Sequence, residues 1–180
     1  MDADVVGASE GSGMKVRFKI TTPLLTTIRT DLRRPHSFAH ERVGFIGAGL
    51  SAAGDVLLVL AREYRPVLDE EYLNDRSVGA MMSAAAIRRA RQWAMQDGVA
   101  IFHVHTHGGR GVPNFSGVDV RENAKFIPDI SKVAPQSVHG AIVLSDTAAR
   151  GQVWFGPKDS NHFIADFAEV GVPIRKWSAL

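Results

Sequence analysis

Residues 99–119 read VAIFHVHTHGGRGVPNFSGVD: an apolar strand, a glycine-rich loop, and a serine that opens a helix. In an extended segment successive side chains point to opposite faces, so His103, His105 and His107 share one face, with neighbouring rings roughly 6 to 7 Å apart. Two of these imidazoles can therefore converge on one ion. Beyond the loop, Ser116 and Asp119 have the Ser-x-x-Asp spacing of a capping box, which predicts a helix from Ser116 to Ile127. The strand fixes two imidazoles rigidly, and the helix start delivers a carboxylate. Zinc takes imidazole nitrogen and carboxylate oxygen at about 2.0 to 2.2 Å, and a catalytic zinc keeps three protein ligands and a water. His105, His107 and Asp119 supply three ligands of that chemistry.

Upstream, Met14 to Thr22 alternates apolar and polar residues as a half-buried strand does. Thr22 followed by Pro23 reads as an N-cap and first helical position, with Leu24, Leu25, Ile28 and Leu32 at helical spacing until Pro35. Arg42–Ala48 and Asp55–Glu63 read as a strand pair around the loose turn GLSAAG. Gly47 and Gly49 lead into a strand, whereas a phosphate loop needs a helix there. From Ser77, the residues Val78, Met81, Met82, Ala85, Ile87, Trp93 and Met95 suggest one long helix closed near Gly98, its methionine and tryptophan stripe packed in the core. Downstream, Val138–Ser145 and Gln152–Phe155 read as strands and Asn161–Phe167 as a short helix. Strands and helices alternating in this way predict an α/β domain, a mixed central sheet with helices on its faces.

The chain has 180 residues, 45% hydrophobic and 22% charged, the makeup of one globular domain. Residues 1–13 mix glycine, serine and acids without periodicity and are expected to form a disordered tail; residues 14–180 form the domain. The formal charge is only +2, and basic residues cluster only at Arg33-Arg34 and Arg88-Arg89-Arg91, so no nucleic-acid partner is expected. The absence of cysteine excludes disulfides, a thiol nucleophile and a thiolate metal site, and with it the cysteine-ligated zinc deaminases. No apolar stretch approaches 18 residues, so no membrane association is expected and the compartment is read as cytoplasmic.

The run His105-Thr106-His107 with Ser116-Gly117-Val118-Asp119 resembles the JAMM, or MPN-plus, family of zinc metallopeptidases, whose pattern is an upstream Glu, His-x-His-Pro, about seven residues, and Ser-x-x-Asp. The upstream Glu stands at the start of an apolar, glycine-containing strand, and HERVGFIGAG offers Glu41 there. The likeness covers residues 14 to 155. Gly108 stands where the family has proline, and eight residues separate His107 from Ser116, one more than the common spacing. Pairing His103 with His105 instead would lengthen that gap to ten; His103 is read as lying behind the ligands or on the substrate side. The resemblance implies a JAB/MPN fold with cytidine-deaminase-like layering. It also implies Glu41 as general base and acid, Ser116 as oxyanion donor, and zinc on His105, His107 and Asp119. The implied reaction is hydrolysis after the C-terminal glycine of a ubiquitin-like protein, at an isopeptide bond to a target lysine or a peptide bond in a precursor. The compact chain is similar to prokaryotic members that accompany ubiquitin-like proteins with activating and conjugating enzymes, some in antiviral defence. Two alternatives remain: a peptidase acting on ThiS-like sulfur-carrier proteins, and an inactive MPN scaffold. Such scaffolds typically lose the Glu, His and Asp that are present here.

Overall fold

The computed structural model describes residues 13–36, 39–75 and 79–178, so of the expected tail only Gly13 is described. The elements run β1 (Lys15–Thr21), α1 (Thr22–Leu32), β2 (Val43–Ala53), β3 (Val56–Pro66), a 3-10 turn at Asp69–Glu71, α2 (Ala84–Asp97), β4 (Ala100–Thr106), α3 (Gly117–Val133), β5 (His139–Leu144), β6 (Ala149–Trp154), β7 (His162–Val170) and β8 (Arg175–Ser178). The strand order is β1-β3-β2-β4-β5-β6-β7-β8, and β1 also pairs with β7.

That last pairing overturns the expected sheet with helices on its faces and the JAB/MPN layering implied for it. β1 and β7 run parallel from Val16↔Ile164 to Thr21↔Val170, closing seven strands into a mixed barrel with β8 appended to β7. Closure satisfies both edges of β1, which lies parallel to β3 on one side and β7 on the other. The short helix expected at Asn161–Phe167 is this strand. Ala165 has no partner in the register, so β7 carries a bulge there. Ile164 and Phe167, three residues apart, are consequently both buried, and their spacing imitates a helix.

Alternation along β2 and β4 gives the wall two apolar faces. Ile46, Ala48, Phe102 and Val104 belong to the inner cluster with Val16, Phe18, Ile142 and Phe167. Phe18 packs edge-on to Phe102 at 5.4 Å between ring centroids. Leu25, Ile28 and Leu32 of α1 join the same cluster, and Arg29 donates to the carbonyl of Ser145 at 2.7 Å, so α1 covers one end of the barrel.

Val43, Phe45 and Ile101 face outward, against Ala86, Ala90, Trp93 and Ala94 of α2 and Ile130 of α3. Trp93 lies so close to Gly47 that any side chain there would overlap the indole, which gives this strand glycine a packing role. The expected long helix is corrected at its start. Ser77 and Val78 lie outside the described residues, Met82 bridges Tyr72 in an antiparallel pair, and Ser83 is the N-cap. Met81 and Met95 are exposed; of the expected stripe Trp93 is buried in the core beside small alanines, and Met82 packs against that core partly buried. Gly98 ends the helix in the left-handed conformation at φ 62°. Helix α3 runs past the expected end at Ile127, with Pro128 inside it.

His139 is fully buried on β5: its Nδ1 accepts from the amide of Ile101 at 3.1 Å, and its Nε2 lies 3.0 Å from the carbonyl of Ala134. That arrangement uses a neutral ring, and burial lowers its pKa from the ordinary 6.5. The native state then binds fewer protons than the unfolded chain, so this contribution is full above pH 6.5 and is lost as pH falls. In the chelated protein, the denaturant-unfolding free energy is expected to fall from pH 7 to pH 5, and His139→Gln to flatten that slope. An unchanged slope would remove His139 as a source of the acid sensitivity.

Candidate metal centre

β4 carries its histidines on the outer face, in phase with Ile101, and places His105 almost wholly out of solvent at 1% exposure. His107 follows the strand, its amide donating to the carbonyl of Leu144 at 2.9 Å. The Nε2 atoms of His105 and His107 stand 3.2 Å apart. Asp119 reaches both, with Oδ1 at 3.5 Å from His105 Nε2 and Oδ2 at 3.4 Å from His107 Nε2. A tetrahedral ion with ligands at about 2.0 to 2.2 Å has ligand–ligand edges of about 3.3 to 3.6 Å. The His105–His107 separation is close to such an edge, and Asp119 approaches the two rings at similar distances through different oxygens, so the donor set fits a divalent cation by chemistry and by proximity.

The sheet register places the fourth group. Val43 pairs antiparallel with His105, so Glu41, two residues before Val43, comes level with His107, two residues after His105. A carboxylate oxygen of Glu41 and one ring nitrogen of each histidine lie within 4.8 Å of one another, a group able to hold a metal ion. Asp119 makes the shorter contacts to both rings and would serve as the third ligand, with the Glu41 carboxylate beside the group.

Asp119 is held by the helix start. The Ser116 amide donates to Asp119 Oδ2 at 2.7 Å and the Asp119 amide donates to Ser116 Oγ at 3.1 Å, a complete capping box. Burial acts to raise the Asp119 carboxyl; hydrogen bonding and charge from His105, with the Ser116 bonds, outweigh it and hold the group well below the usual carboxylate range. Because the Ser116 hydroxyl oxygen accepts in this cap, its proton is left to donate elsewhere.

His103 points along the same face but takes no part in these contacts. Its ring lies 6.0 Å from Phe45, 6.2 Å from Phe126 and 5.5 Å from His105 between centroids. The residue is half-buried, yet both ring nitrogens are sealed from solvent. Burial, reinforced by His105, pushes its pKa down to about 3, so it is neutral. It sits behind the ligand pair beside buried Asn123 of α3.

The loop from Gly108 to Phe115 is pinned to the β5–β6 turn. Asp146 N donates to Gly109 O at 3.0 Å, Gly111 N to Thr147 Oγ1 at 3.0 Å, and Ser145 Oγ to Gly111 O at 2.6 Å. Gly109 and Gly111 have φ of 95° and 87°, a conformation that favours glycine. A Cβ at Gly108 would meet nothing within 4 Å, so no close packing there requires glycine.

Sequence reasoning missed two residues that set Glu41. Buried Arg42 donates to the carbonyls of Arg34 at 3.0 Å and Pro35 at 2.9 Å and to Asp69 at 2.7 Å, anchoring the approach to β2. Gly79 accepts from the amides of both His40 and Glu41 at 2.9 Å. Neither contact is signalled by local sequence.

Among the described residues no helix is long and apolar enough to cross a membrane. No protein-family model matches the sequence, and no curated protein matches it significantly. Among solved structures the chain is similar to the Trichoplax adhaerens STIL N-terminal domain, with 11% identity, a TM-score of 0.38, and coverage of 74% of this chain and 39% of that one. A likeness of that size carries nothing about activity.

Proposed function

We propose that this chain is a metal-dependent hydrolase of amide bonds, with zinc as its ion and a donor set of the JAMM type. The observation that carries this reading is the triangle of His105, His107 and Asp119 at 3.2 to 3.5 Å with the Glu41 carboxylate beside it. It rests on that donor set and on the motif residues, independently of the barrel on whose outer face they lie.

His105, His107 and Asp119 would hold the divalent ion, which when bound would supply Lewis acidity and activate water as a nucleophile near neutral pH. Glu41, close to both histidines but outside the short-contact triangle, would take a proton from water as its oxygen bonds to the carbonyl carbon, and would return that proton to the amine nitrogen as the C–N bond breaks. The Ser116 hydroxyl, whose oxygen accepts in the cap, would donate a hydrogen bond to the oxyanion as the carbonyl carbon becomes tetrahedral. β4 and the hydrogen bond from the His107 amide to Leu144 hold the backbone that brings the Nε2 atoms of His105 and His107 to 3.2 Å. Asp119 is oriented by its cap and held ionised chiefly by His105, with the Ser116 bonds adding to the effect.

The resemblance extends the proposal to the substrate: the C-terminal tail of a ubiquitin-like protein, bound as an added strand with its small terminal residues at the ion and the Gly108–Phe115 loop along one side. A ubiquitin-like protein ending in two glycines and fused to a reporter tests this. Cleavage after the terminal glycine is expected, with loss of cleavage on chelation or when the penultimate glycine is made bulky. Cutting of unrelated peptides while every ubiquitin-like fusion stays intact would replace this reading with a general metallopeptidase.

A further inference from the structure

We propose that Gly79 is a positioning residue for Glu41: a backbone shelf whose missing side chain makes room for the carboxylate that serves the metal centre. This rests on the reading of Glu41 as the proton-transfer group.

Two independent contacts carry it. A Cβ on Gly79 would lie 2.5 Å from Glu41 Oε2, 2.7 Å from Cδ and 3.0 Å from Oε1, so the carboxylate fills the space where a side chain would be. The Gly79 carbonyl accepts from the amides of His40 and Glu41, fixing the backbone from which that side chain departs. One glycine thus sets both the root and the tip of Glu41.

The shelf is itself braced. Leu73 N donates to Met81 O at 2.8 Å and Ser83 N to Glu71 O at 2.7 Å, around the Tyr72↔Met82 bridge. The Tyr72 hydroxyl accepts from the amide of Val43 at 2.9 Å, and Val43 lies two residues past Glu41. Arg89 of α2 pairs with Glu71 at the base of the same segment. The shelf and the Glu41 backbone are therefore parts of one hydrogen-bonded frame spanning residues far apart in sequence. The group that a Gly79 methyl would strike is the far end of a flexible side chain. Gly79→Ala should accordingly spare the fold and displace the carboxylate.

The experiment compares wild type, Glu41→Gln and Gly79→Ala loaded with Co2+, following the visible ligand-field band from pH 5 to 9 beside a thermal melt. All three are expected to bind cobalt with the same band shape, since neither residue is a ligand. The pH midpoint of the band is expected to move in Gly79→Ala in the same direction as in Glu41→Gln. On a cleaved substrate, kcat for Gly79→Ala should fall about 10- to 100-fold with KM little changed, the scale of a displacement near 1 Å. A midpoint that moves in Glu41→Gln and stays at the wild-type value in Gly79→Ala overturns the Gly79 proposal alone. Wild type with no cobalt band, or a midpoint indifferent to Glu41→Gln, overturns the hydrolase reading and this one with it. If Gly79→Ala lowers the Tm, adding Glu41→Ala removes the struck carboxylate and should recover it; failure to recover overturns the contact.

Discussion

Glu41→Gln is expected to lower kcat by about 10²- to 10⁴-fold, the range a positioned general acid–base contributes, while metal content and Tm stay at wild-type values. The amide keeps the shape and hydrogen-bonding reach of the carboxylate but has no basic oxygen to take a proton. Glu41 stands outside the triangle of short contacts made by His105, His107 and Asp119, so its loss leaves the ion three protein ligands. Its backbone amide bonds to Gly79 whatever the side chain, so the strand entry is undisturbed. Turnover of a ubiquitin-like fusion, metal analysis and a melt on the same preparation give the three readings. Activity within threefold of wild type would remove Glu41 from the proton path, and a loss of metal would instead make it a ligand.

The parts of the site that could be read in the sequence are those whose geometry is local. Alternation puts His103, His105 and His107 on one face because a strand has period two, and Ser116 reaches Asp119 because a helix start brings residues three apart together. Glu41 was open to motif likeness, but its physical placement comes from the Val43↔His105 register, which joins residues distant in the chain. Gly79 had no local signal at all, since its role exists only through the Glu41 contact. The fold divides the same way. β1 and the β2–β3 hairpin were legible, although the turn is tighter than expected: two residues, with Gly54 at φ 59°. Barrel closure was not, because it depends on pairing Val16 with Ile164 across nearly the whole chain. The bulge at Ala165 added to the error by giving a strand the three-residue spacing of a helix.

His107→Ala is expected to weaken metal binding more than about a hundredfold, beyond the 10- to 100-fold that loss of a group supporting a ligand costs. Its ring is a quarter exposed and lies past the end of β4, so truncation removes a donor and little packing. His105 is a poorer probe: at 1% exposure its removal would also open a cavity beneath the site. An ion that binds only the folded chain stabilises it by about 2.7 kcal/mol at a hundred times its Kd. For a chain of this size each kcal/mol raises Tm by about 2 to 4 °C, so zinc should raise the wild-type Tm by about 5 to 11 °C at that concentration. In His107→Ala the same zinc addition should leave the Tm close to its chelated value. His103→Phe serves as the matched comparison, because both His103 nitrogens are buried away from solvent and its ring packs beside Phe45 and Phe126. It should keep the zinc-dependent rise. Equal zinc in wild type and His107→Ala would remove His107 from the ligand set, and if His103→Phe lost the rise as well, the ion would belong to the His103–His105 pair.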